Sequence, residues 1–492
     1  MGGDTVVQMT AAFLLFGLLF FQSASTAPAP EPMYSVKVNG QPLPLHDFLQ
    51  GSFGQFELGR LAEIEIRTSF DVRWVDIRPK SAAIAPVLGS GHNTVRFSIR
   101  RPLPLTVEFN DDLAKALHLF AYAPEKDPPK PDAANVKYFG PGTHDAGLIE
   151  LKDGETLYLA PGAWVNGNVR SIGTKNVAVR GRGVLDGSFL VRQAGSRGAG
   201  PGANAAPGGS GPGSRNMIYF ERTEGARIEG ITVFNSQSWT VYARNSHGVR
   251  IDGVRILNPS ANYGDDGFDL VSSSDVVVEN VFVRTNDDCV VVKNTDDVET
   301  HDITVRGGVF WNMPNGGNGV EIGFELRKQK VHDIRFEDID IIHVQRGSAI
   351  SIHNNDSAIV EHVVFDNIRV EDVRRKLIDF AVVFAQYGLD RPQTQEERLR
   401  RMDLGGAWDG LQTYTAAEKP ERAKFRGHIK DILVRNLRVV EGALPYSVLA
   451  GFDEEHAVEN VTIEGLKYQG KPIRNATEGK FSMEYARGVK FR

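Results

Sequence analysis

Residues 228–233 read Ile-Glu-Gly-Ile-Thr-Val, and residues 251–256 read Ile-Asp-Gly-Val-Arg-Ile. In both stretches apolar and polar residues alternate, and a glycine at the third position separates two short apolar segments. Similar units, with Gly, Asn or Asp at that position, begin at residues 278, 336, 365, 434 and 463. Where units follow one another directly, as at 228, 251 and 278 or at 336 and 365, their period is in the twenties. Such a period, made of strands and turns, is typical of a β-solenoid.

The repeats therefore predict an all-β fold, a right-handed parallel β-helix over residues 136–492. A leucine-rich repeat has a similar period, but it needs a regular Leu/Asn framework that the sequence lacks. In a parallel β-helix each coil lies about 4.8 Å above the previous one. Side chains one coil apart in sequence are then expected to meet on the outer face.

The segment before the repeats has a different pattern. Residues 33–123 contain short alternating segments, such as 34–38 and 94–99, which predict a small antiparallel β-sandwich. A charged, proline-rich stretch at 124–131 marks the predicted boundary with the β-helix. Two departures from the repeat are expected: a flexible Gly-rich loop at 194–215, and a helix-containing excursion at 386–426.

Residues 9–21 form an apolar run that is too short to span a bilayer, and small residues follow it. Residues 1–27 are therefore predicted to be a cleaved signal peptide, so the mature protein is expected to be secreted, extracellular or periplasmic, without stable membrane insertion. The net charge of −6 argues against nucleic acid as a partner. Cys289 is the single cysteine, which excludes an intramolecular disulfide, and its apolar neighbours indicate a small buried residue.

Acidic residues are concentrated in one part of the solenoid. Residues 264–269 read Gly-Asp-Asp-Gly-Phe-Asp, and residues 286–289 read Asn-Asp-Asp-Cys. Asp266 and Asp287 are separated by close to one coil, so both acidic pairs are expected at one edge of adjacent coils. Neighbouring carboxylates raise one another's pKa, and a carboxyl group that stays protonated near neutral pH can act as a general acid. Asp266, Asp287 and Asp288 are the predicted catalytic residues, whereas Asp296 and Asp297 fit ordinary turn positions.

These two motifs and their spacing resemble the Asn-Thr-Asp-Gly-Phe-Asp and Gln-Asp-Asp-Cys motifs of glycoside hydrolase family 28, the polygalacturonases. The resemblance implies hydrolysis of a poly- or oligosaccharide with inversion, without a metal or organic cofactor. It also implies that Asp287 is the general acid and that Asp266 and Asp288 hold and activate water. Substrate contacts are expected at Asp269, Lys293, Asn318, Glu321, Arg327 and His353.

The chain also departs from this family. Residues 317–319 read Gly-Asn-Gly where polygalacturonases have Gly-His-Gly, and residues 351–353 read Ser-Ile-His in place of the Arg-Ile-Lys that grips a uronic-acid carboxylate. The preceding β-sandwich and residues around Lys293 look more like the related family 49, the dextranases and isopullulanases. The expected substrate is therefore a pectic polysaccharide or a neutral α-glucan.

Two other functions are compatible with the sequence. A calcium-dependent polysaccharide lyase on the same fold would use the acidic cluster as an oxygen cage for Ca²⁺. A non-catalytic carbohydrate-binding solenoid would explain the missing histidine. Chelation would abolish activity only in the lyase, and the binding protein would release no sugar.

Overall fold

The computed structural model describes residues 32–49, 51–190, 215–259, 264–314, 316–397 and 414–492. The predicted signal peptide lies outside these residues, and so does nearly all of the predicted loop at 194–215. Within the described ranges, no helix is long and apolar enough to cross a membrane. Regular structure there is almost entirely β-strand, together with short helices that include α1 (Lys419–Ala423) and 3-10 turns at Lys80–Ala82 and Leu113–Lys115.

Ten strands form two five-stranded sheets that pack into the predicted small β-sandwich. The first sheet consists of β1 (Tyr34–Val38), β2 (Gln41–Leu43), β5 (Ala62–Thr68), β7 (Val87–Leu88) and β8 (Thr94–Ile99). The second consists of β3 (His46–Phe48), β4 (Gly51–Glu57), β6 (Val75–Arg78), β9 (Leu103–Phe109) and β10 (Ala116–Tyr122). The pairing differs from the antiparallel prediction at one place, because β4 and β10 run parallel.

The remaining strands form the β-helix, in which each coil contributes one strand to each of three faces. Face A is the regular stack of 13 strands in which the repeat units begin. Its strands are β11 (Val136–Phe139), β13 (Thr156–Leu159), β15 (Ala178–Gly181), β18 (Arg227–Glu229), β21 (His247–Asp252), β24 (Ser274–Glu279), β27 (Thr300–Arg306), β30 (Lys330–Glu337), β33 (Ile359–Asp366), β36 (His428–Arg435), β39 (Val458–Glu464), β43 (Ala486–Arg487) and β44 (Lys490–Phe491).

Faces B and C merge into one 21-stranded sheet. Face B consists of β12 (Gly142–Glu150), β14 (Ala163–Ile172), β17 (Ile218–Glu221), β20 (Val241–Arg244), β23 (Phe268–Val271), β26 (Val290–Asn294), β29 (Val320–Leu326), β32 (Ser348–Asn354), β35 (Lys376–Val382), β38 (Tyr446–Ala450) and β42 (Phe481–Glu484). Face C consists of β16 (Val184–Asp186), β19 (Thr232–Phe234), β22 (Arg255–Leu257), β25 (Phe282–Thr285), β28 (Val309–Asn312), β31 (Asp340–Val344), β34 (Arg369–Val373), β37 (Arg438–Val439), β40 (Lys467–Tyr468) and β41 (Lys471–Pro472).

The Gly, Asn or Asp of each repeat unit makes the bend between a face A strand and the next face C strand. Gly230 and Gly253 have φ values of 73° and 67°, and Asn280 and Asn367 have φ values of 54° and 53°. This left-handed conformation is accessible to Gly and, at a small cost, to Asn and Asp. The asparagine side chains also stack between coils, since Asn280 Nδ2 donates to Asp252 Oδ1 at 2.8 Å. The conformational requirement of the bend explains the sequence repeat.

Alternate side chains of every face point inward and form one continuous apolar core. The outer side of face C is also buried, because the second sheet of the sandwich packs against it. Phe120 and Tyr122 of β10 join a cluster with Phe282, Trp311 and Ile342 of face C. The architecture is thus the predicted right-handed parallel β-helix preceded by a small β-sandwich. The sandwich covers the outer side of face C.

Candidate active site

The predicted catalytic residues lie on successive turns that lead from face C into face B. Asp266 precedes β23, and Asp287 and Asp288 lie between β25 and β26 one coil later. Backbone hydrogen bonds stack these turns, with Gly267 N donating to Asp288 O at 2.8 Å and Cys289 N donating to Asn318 O at 3.0 Å. The coil spacing therefore brings both acidic pairs together at one edge, as the sequence predicts.

Asp265 supports the turn that carries Asp287. It is fully buried, and its Oδ1 accepts hydrogen bonds from the backbone N–H groups of Asn286, at 3.0 Å, and Asp287, at 3.1 Å. Its Oδ2 accepts from Asn286 Nδ2 at 2.9 Å. A buried carboxylate that satisfies three donors fixes the backbone around it. Asp265 is thus an architectural member of the acidic cluster.

Asp287 is half-buried, whereas Asp266 and Asp288 are buried. Asp287 Oδ2 accepts from Gly264 N at 2.9 Å, and its Oδ1 accepts from Asp288 N at 3.1 Å, so both oxygens are oriented by the backbone. Burial raises the pKa of Asp287 above that of an ordinary aspartate, although Lys293 opposes the rise. A partly accessible carboxyl group with a raised pKa is suited to donate a proton to a bound substrate.

Lys293 is the cation at the centre of the cluster. Its Nζ lies 3.5 Å from Asp266 Oδ2, 3.4 Å from Asp269 Oδ1 and 3.4 Å from Glu325 Oε2. The same atom lies 3.9 Å from the ring centroid of Trp239. Burial and the charge of Asp287 raise the pKa of Asp266 to about 7, against the opposing effect of Lys293. The single ammonium group of Lys293 therefore neutralises only part of the negative charge of the carboxylates around it.

Asn318 occupies the turn of the third coil and holds Asp288. The backbone N and the side-chain Nδ2 of Asn318 donate to Asp288 Oδ1 at 2.7 and 2.9 Å. Gly317 permits this approach, because its φ is +77° and a Cβ atom there would lie 2.3 Å from the carbonyl carbon of Asp287. Burial and the charges of Asp287 and Glu321 raise the pKa of Asp288 well above its ordinary value.

The predicted substrate contacts are placed at different depths. Asp269, Glu321 and His353 lie on the outward side of face B but are buried beneath other side chains, with exposures of 0%, 0% and 4%. Lys293 and Asn318 contact the aspartates directly, at 3.5 Å and 2.7 Å respectively. Arg327 follows β29 and is half-buried. Of the six, Arg327 is the most exposed and the others form the floor behind the aspartates.

The other residues singled out in the sequence have structural positions. Asp296 pairs with Arg244 at 2.6 Å, in agreement with a turn role. Cys289 is fully buried in the core, and burial raises the pKa of its thiol.

Three residues close to the site were not predicted: Ser348, Asp379 and Tyr387. Asp379 accepts from His353 Nε2 at 2.9 Å, and Tyr387 packs against Phe324 with ring centroids 5.3 Å apart. Strand register along face B would have pointed to Asp379, which lies two strands from Glu321 in the same row of outward side chains. Tyr387 lies in the excursion, where no repeat defines its position.

Two further features bear on the alternatives. A groove with a volume of about 800 Å³ lies between the sandwich and the β-helix, but none of the predicted site residues lines it. In the described part of the chain, no group of three or more His, Cys, Asp or Glu side chains has the arrangement of a metal site.

Comparison with known proteins finds a family match over part of the chain. Residues 160–394 match the model of glycosyl hydrolases family 28. A probable polygalacturonase of Arabidopsis thaliana is 26% identical over 171 residues, covering 34% of this chain and 36% of that protein. A probable endopolygalacturonase D of Aspergillus flavus is 29% identical over 166 residues, covering 33% of this chain and 30% of that protein. The match thus spans about a third of the length of each relative.

The fold likeness extends further than the sequence likeness. Dex49A from Penicillium minioluteum superposes with a TM-score of 0.57 and 15% identity, covering 90% of this chain and 83% of that one. At 15% identity this likeness is one of fold alone. Within residues 160–394, the predicted resemblance to family 28 is confirmed.

Proposed function

We propose that this protein hydrolyses glycosidic bonds in a poly- or oligosaccharide with inversion, using Asp266, Asp287 and Asp288. The observation that carries the proposal is the half-buried Asp287 next to two buried carboxylates on adjacent coils. Inverting glycosidases need one carboxylic acid for the leaving oxygen and one carboxylate for water. The family match at residues 160–394 supports the same reaction class.

In the proposed reaction, protonated Asp287 donates its proton to the glycosidic oxygen as the bond from that oxygen to the anomeric carbon breaks. Asp266 and Asp288 orient a water molecule on the opposite face of the sugar, and an ionised carboxylate of this pair accepts one proton from it. The water oxygen forms the new bond to the anomeric carbon, so its configuration inverts. After the products leave, Asp287 regains a proton from solvent, and the carboxylate that accepted the water proton releases it to solvent.

The proposed substrate is either a pectic polysaccharide or a neutral α-glucan. The names of the relatives favour a pectic substrate. The local charges favour a neutral one, because Lys293 lies among three carboxylates and His353 lies between two. Arg327, which is half-buried, is the predicted substrate contact that could pair with a uronate carboxylate.

An assay of reducing ends on pectic and neutral α-glucan substrates, with and without a chelator, tests the proposal. We expect release from one substrate class that survives chelation, with an inverted anomeric product by NMR. Unsaturated products and loss with chelator would identify a calcium-dependent lyase. Binding to a glycan without any release would identify a carbohydrate-binding solenoid.

Replacing Lys293 by methionine is expected to move the acidic limb of the pH profile to higher pH. The ammonium group lowers the pKa of Asp266, so its loss raises that pKa further. Because Asp266 must be ionised to activate water, the limb of kcat/KM should shift upward by about one pH unit. Initial rates from pH 4 to 9 measure the shift. The control is Lys330→Met, which removes an exposed lysine that pairs with Glu361 on face A. If the acidic limb of kcat/KM did not shift in Lys293→Met, this result would contradict the role of Asp266.

Secretion remains part of the proposal, and it depends on the apolar run at residues 9–21. Expression in a secreting host should release a mature chain that begins close to residue 28. Amino-terminal sequencing of the exported protein tests this directly, and a retained leader would contradict it.

A further inference from the structure

The outward side of face B carries a row of polar side chains beyond the aspartates. Glu321 on β29, Ser351 on β32 and Asp379 on β35 are in register on three successive coils. His353 lies two residues after Ser351 and bridges the row, with Nδ1 2.9 Å from Glu321 Oε1 and Nε2 2.9 Å from Asp379 Oδ2. We call Glu321, His353 and Asp379 the charge ladder.

The charge ladder has a defined protonation state. Ionised carboxylates only accept hydrogen bonds, so an imidazole with a carboxylate at each nitrogen must carry both protons. Burial alone would lower the pKa of His353, but Glu321 and Asp379 outweigh burial and hold it well above its ordinary value. Asp379 is also paired with Lys376, and these cations lower its pKa to about 2 against the effect of burial. The ladder with Lys376 is therefore balanced in charge.

A hydrogen-bonded path joins this ladder to Asp288. Ser348 Oγ donates to Asp379 Oδ2 at 3.3 Å, and Ser348 N donates to Asn318 Oδ1 at 2.9 Å. The bond from Ser348 orients the Asn318 amide, so that its Nδ2 faces Asp288 Oδ1 at 2.9 Å. The path crosses four coils and consists of buried groups.

We propose that the charge ladder positions Asp288 and sets the local charge for the reaction proposed above. His353 is then a positioning residue that acts on Asp288 through Asn318. Asn318 occupies the position at which the polygalacturonase motif has a histidine. The side chains of the ladder are 0 to 5% exposed, so they support the floor of the site. The expected changes in kcat and in the pH profile rest on the proposed function, whereas the expected displacement of Asn318 and Asp288 does not.

The charged groups around Asp288 and His353 determine how a substitution of His353 changes the protonation of Asp288. Asp288 faces Asp266, Asp287, Glu321 and Lys293, and the negative charge of Glu321 raises its pKa. His353 is the cation that balances Glu321. Loss of the imidazolium leaves Glu321 uncompensated, which favours the protonated form of Asp288 and removes the ionised form that holds water.

The first variant is His353→Gln. We expect kcat to fall on the order of 10-fold with KM little changed, and the acidic limb of the pH profile to move upward by about one pH unit. The double variant Glu321→Gln, His353→Gln removes both charges and should return the limb towards its wild-type position. This recovery distinguishes a charge effect from loss of packing.

The matched control is His343→Gln. His343 is also buried between two carboxylates, Glu108 at 2.6 Å and Asp372 at 3.0 Å, but it lies on face C under the sandwich. Its substitution should lower the thermal midpoint and leave the pH limb unchanged. If His353→Gln behaved in the same way as this control, the proposal would be overturned.

Crystal structures of wild type and His353→Gln supply a readout that does not depend on activity. We expect the bonds from Asn318 to Asp288, 2.7 and 2.9 Å in the present structure, to lengthen or break in the variant. If Asn318 and Asp288 kept their positions in the variant, the proposal that His353 positions Asp288 would be refuted, even if the protein cleaves no glycan. An inactive wild type together with displaced Asn318 would reject the proposed hydrolysis and retain the structural link.

Discussion

Asp287→Asn is expected to lower kcat by on the order of 10³-fold while the protein keeps its fold. An asparagine has no acidic proton to donate, so the leaving oxygen would depart without protonation. The amide oxygen can still accept from Gly264 N or Asp288 N, which preserves the turn. Initial rates of reducing-end release measure the loss, and circular dichroism melting measures the fold.

The control for this substitution is Asp296→Asn. Asp296 is also an aspartate on a turn next to β26, but it follows this strand and pairs with Arg244. We expect this variant to retain its activity and to lose only a small part of its stability. Comparable rates for wild type and Asp287→Asn would exclude Asp287 as the general acid.

Arg78→Met is expected to lower the free energy of unfolding by about 3–5 kcal/mol. Arg78 is 4% exposed at the contact between the sandwich and the β-helix. Its Nε lies 2.9 Å from Glu108 Oε2, and its Nη1 lies 2.6 Å from Glu371 Oε2. Removal of the guanidinium takes the paired cation from buried Glu371 and leaves Glu108 to pair with His343. Urea unfolding followed by tryptophan fluorescence gives the free energy.

Arg96→Met provides the comparison for this result. Arg96 is more than half exposed and pairs with Glu65 on the outer surface of the sandwich. Exposed pairs contribute less than about 1 kcal/mol, so this variant should unfold close to the wild-type urea concentration. If Arg78→Met and Arg96→Met lost the same free energy of unfolding, the burial of Arg78 would make no extra contribution to stability.

The β-helix could be predicted because its bends require a left-handed residue at a fixed place in each coil, which leaves Gly, Asn or Asp in the sequence. Strand β10 could not be predicted in the same way. All seven of its residues are buried, since one side packs in the sandwich core and the other against face C. A strand buried on both sides shows no alternation, and only the tertiary contact explains it.

The aspartates predicted to be catalytic could be singled out because consecutive acidic residues recur one coil apart in the stretch from Asp265 to Asp288. The charge ladder lacks such a signal. Asp379 lies three coils beyond Asp288, and Ser348 is an ordinary strand residue until its partners are known. Their relation depends on the register of β29, β32 and β35, which the local sequence does not define. Glu321 and His353 were predicted as substrate contacts, but their burial could not be predicted from the sequence.

The contact along face C also has a consequence for how the molecule unfolds. In a solenoid each coil touches only its neighbours, so coils can separate from the ends one at a time. The sandwich instead touches Phe234, Leu257, Phe282, Trp311 and Ile342, which belong to five successive coils. Those coils include the ones that carry the aspartates, so they should lose their structure in a single cooperative step. The coils near the carboxyl terminus, outside this contact, should exchange their amide hydrogens first.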